Sequence, residues 1–138
     1  VKDISLETPN SPLVFAEKWE PNVEVNLSSN ATPVQDNLFE VVLGITVTVK
    51  IAEKTAYLVE ISQPGLFGLS GFSKEEMGPM LGSFCPNTLF PYAREVISDL
   101  VIKAGFPPML LTPVNFDAVY AQHVQQASEQ NAGSQTVN

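Results

Sequence analysis

The residues that could do chemistry in this chain are few and scattered. Cys85 stands before Pro86 at the expected start of a helix. A helix N-terminus can lower a thiol pKa and favour a nucleophile; the other reading is a buried structural thiol. His123 is the only histidine, so a multi-histidine metal site is excluded. Its place on the apolar side of an amphipathic stretch suits a packed or partly exposed structural residue better than a catalytic one. Glu75 and Glu76 are adjacent, and adjacent helix residues point different ways, so they make a solvated face rather than a dyad. Gly65, Gly68 and Gly71 lack the Lys-Ser/Thr of a phosphate loop and the spacing of a dinucleotide fingerprint. Glycines of a bent strand explain them better. Nothing assembles an acid–base pair, a metal ligand set or a cofactor cradle, so the chain reads as a non-enzyme with no cofactor.

The elements that would carry these residues are clearer. From Cys85 to Gly105, Leu89, Ala93, Val96, Leu100 and Ala104 recur at helical spacing, with Phe90, Ile97 and Val101 widening the stripe. Pro86 and Pro91 sit early in this helix, and Gly105 followed by Pro107-Pro108 ends it. A stripe this wide can cover a sheet and also meet a second copy of the chain. Before it, Lys2–Glu7 is a short extended segment, Asn22–Ser28 alternates strictly, and Leu38–Ile51 is the strongest strand. Thr55–Gln63 is its antiparallel neighbour across the tight connection Ala52–Lys54. Pro64-Gly65 is expected to break that strand, with a fourth short one at Leu66–Ser70. Ser29–Asn37 reads as a turn region, and Ser73–Glu76 as a capping box opening one or two helical turns, limited by Gly78-Pro79. A last helix starts near Val114 with Asn115 as cap and Phe116, Val119, Tyr120, His123 and Val124 as its apolar face. Strands first and helices last predict an α+β domain: a four-stranded antiparallel sheet with the long helix and a second C-terminal helix on one face. One domain over residues 1–127 and a polar, flexible tail over 128–138 are expected.

The chain has 138 residues and 44% hydrophobic content, enough for one domain with a real core. Its net charge of −8 disfavours nucleic acid. No apolar run approaches the ~20 residues of a membrane helix, so no membrane insertion is expected. No secretory signal is read, and a single cysteine suits a reducing cytoplasm. The irregular segment Thr8–Pro21 nevertheless carries Leu13, Phe15 and Trp19. With Phe116 and Tyr120, these exceed the apolar surface that one small sheet needs. Core packing explains most of them, and the rest could line a groove for apolar segments of another chain.

Lys2-Asp3-Ile4-Ser5-Leu6-Glu7 with Pro9-Asn10, Phe39–Leu43, the run Cys85–Glu95 and Phe106-Pro107 leading to Pro113–Ala118 resemble the SecB export chaperones in order and spacing, from Val1 to about Gln126. The resemblance implies a cytoplasmic bacterial homotetramer, a dimer of dimers. It implies an ATP-independent holdase that keeps precursor proteins unfolded and passes them to the translocase motor SecA. The family's substrate groove would fall on Trp19, Val25, Leu27, Phe116 and Tyr120. Its motor-docking surface would fall on Asp3, Glu7, Leu58 and Glu60. Its oligomer interface would draw on Leu89, Ala93, Val96, Ile97, Leu100 and Val101 of the long helix. Met77-Gly78-Pro79-Met80 departs from the family pattern, and the tail carries the single acid Glu129 where family tails are more acidic. The competing readings are a small-ligand or enzymatic domain with a closed pocket between sheet and helices, and a plain structural oligomer.

Overall fold

A computed structural model describes residues 1–135 of the chain. Four strands form one antiparallel sheet: β1 (Asp3–Glu7), β2 (Asn22–Gln35), β3 (Leu38–Ile51) and β4 (Lys54–Gly68), in the order β1-β4-β3-β2. The expected α+β fold is therefore present. Alternation drives it. Val41, Leu43, Ile45, Val47 and Val49 of β3 are all buried on one face, opposite Val59 and Ile61 of β4. The hairpin between β3 and β4 turns on Ala52 and Glu53, both at positive φ (49° and 68°), the twist that a two-residue hairpin requires.

Two strands run longer than their sequence suggests. β2 continues through Ser29–Gln35, because each of Ser29–Pro33 finds a partner on β3 and the turn needs only Asp36 and Asn37, the latter at φ 60°. β4 does not stop at Pro64-Gly65; it pairs with β3 without interruption to Gly68. The reason lies in what β4 lacks on its other side. β1 covers β4 only as far as Ser62, whose carbonyl accepts from the Lys2 amide at 2.8 Å. Pro64 has the same parity, so its ring nitrogen points past the end of β1 toward an open edge, where no donor is missed. The strand Thr55–Gln63 and the short one expected after it are a single strand.

The helical part is also more continuous than expected. Ser73 caps α1 (Lys74–Pro79) by accepting the Glu76 amide at 3.2 Å, as the capping box requires. Pro79 cannot donate to the turn below it. The register then shifts to a π-helical turn over Met80–Phe84, and the Cys85 amide donates to the Met80 carbonyl as α2 (Cys85–Lys103) begins. Cys85 is therefore inside a helical run, not at a free N-terminus. It is fully buried, and burial pushes its thiol pKa up to about 11, the reverse of nucleophile activation. α2 ends in a Schellman motif: the Gly105 amide donates to the Ile102 carbonyl and Phe106 to Val101, with Gly105 at φ 93°.

α2 lies on the buried face of β3 and β4. Leu89, Phe90, Ala93, Ile97 and Val101 point into that contact, each buried. Each large side chain removed from water there contributes roughly 1.5–3 kcal/mol before chain entropy is set against it. The segment from Thr8 to Pro21 carries the chain from one sheet edge to the other across the end of α2. Its apolar residues close that end. Phe106 stacks on Phe15 at 4.8 Å, lies 5.9 Å from Trp19 and 4.8 Å from Tyr57. The buried Tyr57 donates its hydroxyl to Met109 Sδ at 3.3 Å.

α3 (Phe116–Gln135) is capped by Asn115, whose side chain accepts the Ala118 amide at 3.1 Å. It docks mainly on the π-helical turn rather than on the sheet, through Phe116, Val119 and Tyr120. Tyr120 fills a notch left by two glycines: a Cβ on Gly78 would collide with its hydroxyl oxygen, and one on Gly82 with its ring at Cδ2. The Gly78 departure is thus a seat for an aromatic ring. Beyond it Ala121–Glu129 is exposed, His123 and Val124 included, so the apolar face expected for this helix stays on the body only as far as Tyr120. The helix continues to Gln135, through most of the segment expected as tail; residues 136–138 lie outside the described residues.

Two outcomes test this packing. Burial raises the Tyr57 pKa from 10.0 to about 12 and the Cys85 pKa from 9.0 to about 11. Both groups hold their protons longer folded than unfolded, so their contribution is complete below the unfolded values and disappears as pH rises. Urea midpoints should fall above pH 9, and Tyr57→Phe should flatten the portion between pH 10 and 12; a variant with the wild-type alkaline profile contradicts the burial argument. Gly82→Val should cost about 1–3 kcal/mol by overpacking. It should also expose the amides of the first turns of α3 to hydrogen exchange, and adding Tyr120→Ala should cost little more. Additive losses would show that the two residues do not share a contact.

Candidate functional site

The sheet and α2 leave three surfaces uncovered among the described residues. The first is on the helix side. Val23, Val25 and Leu27 of β2 face the same way as the buried β3 residues Val49, Val47 and Ile45. α2 does not reach them: Val23 is 45% exposed and Val25 40%, while Leu27 is half-buried. Trp19, 36% exposed over Phe106, stands at the end of this strip where Val49 pairs with Tyr57. At the other end the π-helical turn touches β2 and carries Tyr120. Trp19, Val25 and Leu27 thus mark one apolar strip. Phe116 and Tyr120 are less available than the sequence suggests. Phe116 is buried edge-on against Phe90 at 5.8 Å, and Tyr120 occupies the glycine notch.

The second surface is the opposite face of the sheet, which no described helix covers. Asp3, Ser5 and Glu7 of β1 pair with Ser62, Glu60 and Leu58 of β4, and all six residues point to this side. The register therefore brings Asp3, Glu7, Leu58 and Glu60 into one patch at the β1 edge.

The third surface is the outer flank of α2. Of the six residues read as an oligomer interface, Leu89, Ala93, Ile97 and Val101 are buried in the chain's own core. Val96 and Leu100 are only partly buried. The exposed apolar residues of this flank are Tyr92 and Ile102, at 64% and 54%. The wide stripe read in the sequence is wide because its centre meets β3 and β4; only its margins remain for another copy.

The concave site with the most mixed chemistry is a cleft of about 640 Å³ between α1, the π-helical turn and the start of α3. Phe72, Met80, Phe84 and Phe116 line it together with Glu75, Glu76 and Asp117. Asp117 accepts a hydrogen bond from the buried Ser83 hydroxyl. It is an open cleft, not the closed pocket that a small-ligand reading asks for. No histidine or cysteine lines it. Among the described residues no group of three or more His, Cys, Asp or Glu is placed to hold a metal ion. No described helix is long and apolar enough to cross a membrane. Sequence reasoning missed the Gly78/Gly82 seat and the exposed α2 flank. Two glycines four apart beside a long tyrosine-bearing helix were the available signal for the first.

Comparison with known proteins adds to this geometry. A family model described as preprotein translocase subunit SecB matches residues 1–127. The protein-export protein SecB of Methylococcus capsulatus is 66% identical over 130 residues, covering 94% of this chain and 84% of the relative. That of Nitrosococcus oceani is 53% identical over 139 residues, covering 99% and 84%. Among solved structures, a SecB-like chaperone of Mycobacterium tuberculosis in complex with a ChAD peptide from an antitoxin superposes with a TM-score of 0.66 at 15% identity, covering 82% of this chain and 84% of that one. At that identity the likeness shows the fold. The match over nearly the whole sheet-and-helix body, and relatives at this level of identity, carry the conclusion that the chain belongs to the SecB family of protein-export chaperones.

Proposed function

We propose that the chain is an ATP-independent holdase. It captures apolar segments of unfolded precursor proteins on the helix side of β2 and delivers them to the SecA motor docked on the opposite sheet face. The observation that carries the first half is the uncovered strip of Val23, Val25 and Leu27 beside Trp19. A folded domain that leaves alternating apolar residues exposed along a strand continuous with its own core has kept a place for another chain. Each contact is weak, and many along one extended client sum to tight, sequence-tolerant binding. No bond is made or broken in this cycle, so the reading contains no catalytic step.

Support for the second half is the patch of Asp3, Glu7, Leu58 and Glu60, which faces away from the strip. Client and motor can then be held at once. The outer flank of α2, with Tyr92, Val96 and Ile102, is the surface on which copies would assemble into a tetramer, a dimer of dimers, in the bacterial cytoplasm. In this reading the single chaperone domain covers residues 1–127, and residues 128–138 add a polar extension to it.

The direct test is light scattering from an unfolding secretory precursor, with native mass measured on the same sample. Stoichiometric suppression by a species of four chains supports the reading; no suppression rejects it. Trp19→Ala should weaken client capture about tenfold and leave SecA binding unchanged. Glu60→Lys should do the reverse, since it inverts one exposed charge far from the strip. Swapped effects would overturn both site assignments.

A further inference from the structure

Met77-Gly78-Pro79-Met80 departs from the family pattern, and neither client capture nor motor docking gives it a task. With the π-helical turn that follows, it places Gly78 and Gly82 four residues apart in one continuous helical run. Glycine is the poorest helix former after proline, so two of them kept in one run point to a group that needs the space. That group is an aromatic ring. A Cβ on Gly82 would lie 2.7 Å from Tyr120 Cε2 and 3.3 Å from its Cγ, and one on Gly78 would strike the Tyr120 hydroxyl. Gly68 and Gly71, by contrast, have open space where a Cβ would stand. The two missing side chains make a notch shaped to one flat ring.

The ring that fills the notch is only half-buried, and α3 is exposed from Ala121 to Glu129 beyond it. The start of α3 is pinned without its help. Phe116 is buried against Phe90, and Asp117 accepts the hydroxyl of the buried Ser83. Rotation of the Tyr120 side chain therefore empties the notch while α3 stays docked. The π-helical turn also touches β2, so the notch lies at the end of the apolar strip opposite Trp19. We propose that this notch is a binding site for an aromatic side chain of the client, and that Tyr120 is the chain's own stand-in for it. The proposal rests on the client-capture reading and extends it. A free aromatic molecule loses to Tyr120, which is tethered beside the notch at high effective concentration. A client already lying on Val23, Val25 and Leu27 presents its own ring at a comparable effective concentration and competes on equal terms. The site thus answers to a long unfolded chain and ignores small aromatic molecules.

Fluorescence anisotropy of the full chain with two labelled unfolded peptides tests it. Both carry the same alternating apolar residues, and one Phe in the first is Leu in the second. Trp19→Ala is the control for the capture reading and should weaken both. Wild type should bind the Phe peptide about twofold tighter than its Leu twin, and Tyr120→Ala, which empties the notch, should raise that ratio to about tenfold. Adding Gly82→Ala puts a Cβ where the ring would lie, at a position where alanine favours the helix, and should return the ratio to about twofold or less. If Tyr120→Ala fails to raise the ratio, or if the raised ratio survives Gly82→Ala, the notch takes no client ring. The proposal is then overturned, while weaker binding of both peptides by Trp19→Ala leaves capture on the strip standing. If wild type binds neither peptide, the capture reading is itself wrong and the proposal falls with it.

Discussion

One helix cannot cover this sheet. α2 has 19 residues, so it spans about 28 Å and presents a cylinder about 10 Å across. β3 has 14 residues and reaches about 46 Å, and four strands give a sheet about 14 Å wide between outer axes. The helix settles where burial is greatest, over β3 and β4, and β2 is left without a roof. Among the described residues no second layer lies on the other side. The apolar strip on β2, the bare polar face and the free flank of α2 all come from that mismatch. In an isolated domain each would be a defect. On the proposed reading, in which the chain meets clients, a motor and sister copies, each is a place to bind.

The two main surfaces are opposite sides of the same strands, so on the proposed reading the pleat decides which residue serves which partner. Along β2, Val23, Val25 and Leu27 turn toward the helix side and Glu24, Asn26 and Ser28 turn away. A slip of one residue would exchange the sets and put carboxylates where apolar segments should land. On that reading, register is a functional constraint as much as a structural one. The short turns at Asp36-Asn37 and Ala52-Glu53 fix it, which explains why strained positive φ values are kept at residues other than glycine.

What the sequence made legible was whatever depends on period. The alternation of β3, the helical spacing of Leu89, Ala93 and Ile97, the Ser73 cap and the Asn115 cap all stand in the structure. What it hid depends on neighbours. Pro64 reads as a breaker because proline lacks a donor; only the length of β1 shows that no donor is needed there. Ser29–Asn37 reads as a turn region because it carries Pro33, Asp36 and Asn37; only β3 shows that Ser29–Pro33 is paired. Cys85-Pro86 reads as a helix start because proline favours one; only the π-helical turn shows that a helix already arrives from upstream. The site divides the same way. Asp3, Glu7, Leu58 and Glu60 fall together because β1 and β4 alternate in step. Phe116 and Tyr120, read as groove residues, are engaged within the chain by contacts that no spacing announces.

That engagement changes how the strip should be understood. Tyr120 in its glycine seat closes one end with the chain's own aromatic ring, as Trp19 over Phe106 covers the other. Neither cover is deep: Trp19 keeps over a third of its surface in water, and α3 beyond Tyr120 is exposed. A client ring that displaced either would exchange one aromatic contact for another of similar strength, with a small net cost. On the proposed reading this is what a holdase needs. Surface that is partly covered by the chain's own side chains is kept from aggregating when empty. It still yields to a long unfolded chain, because that chain can replace several such contacts in succession whereas a single stray side chain replaces only one.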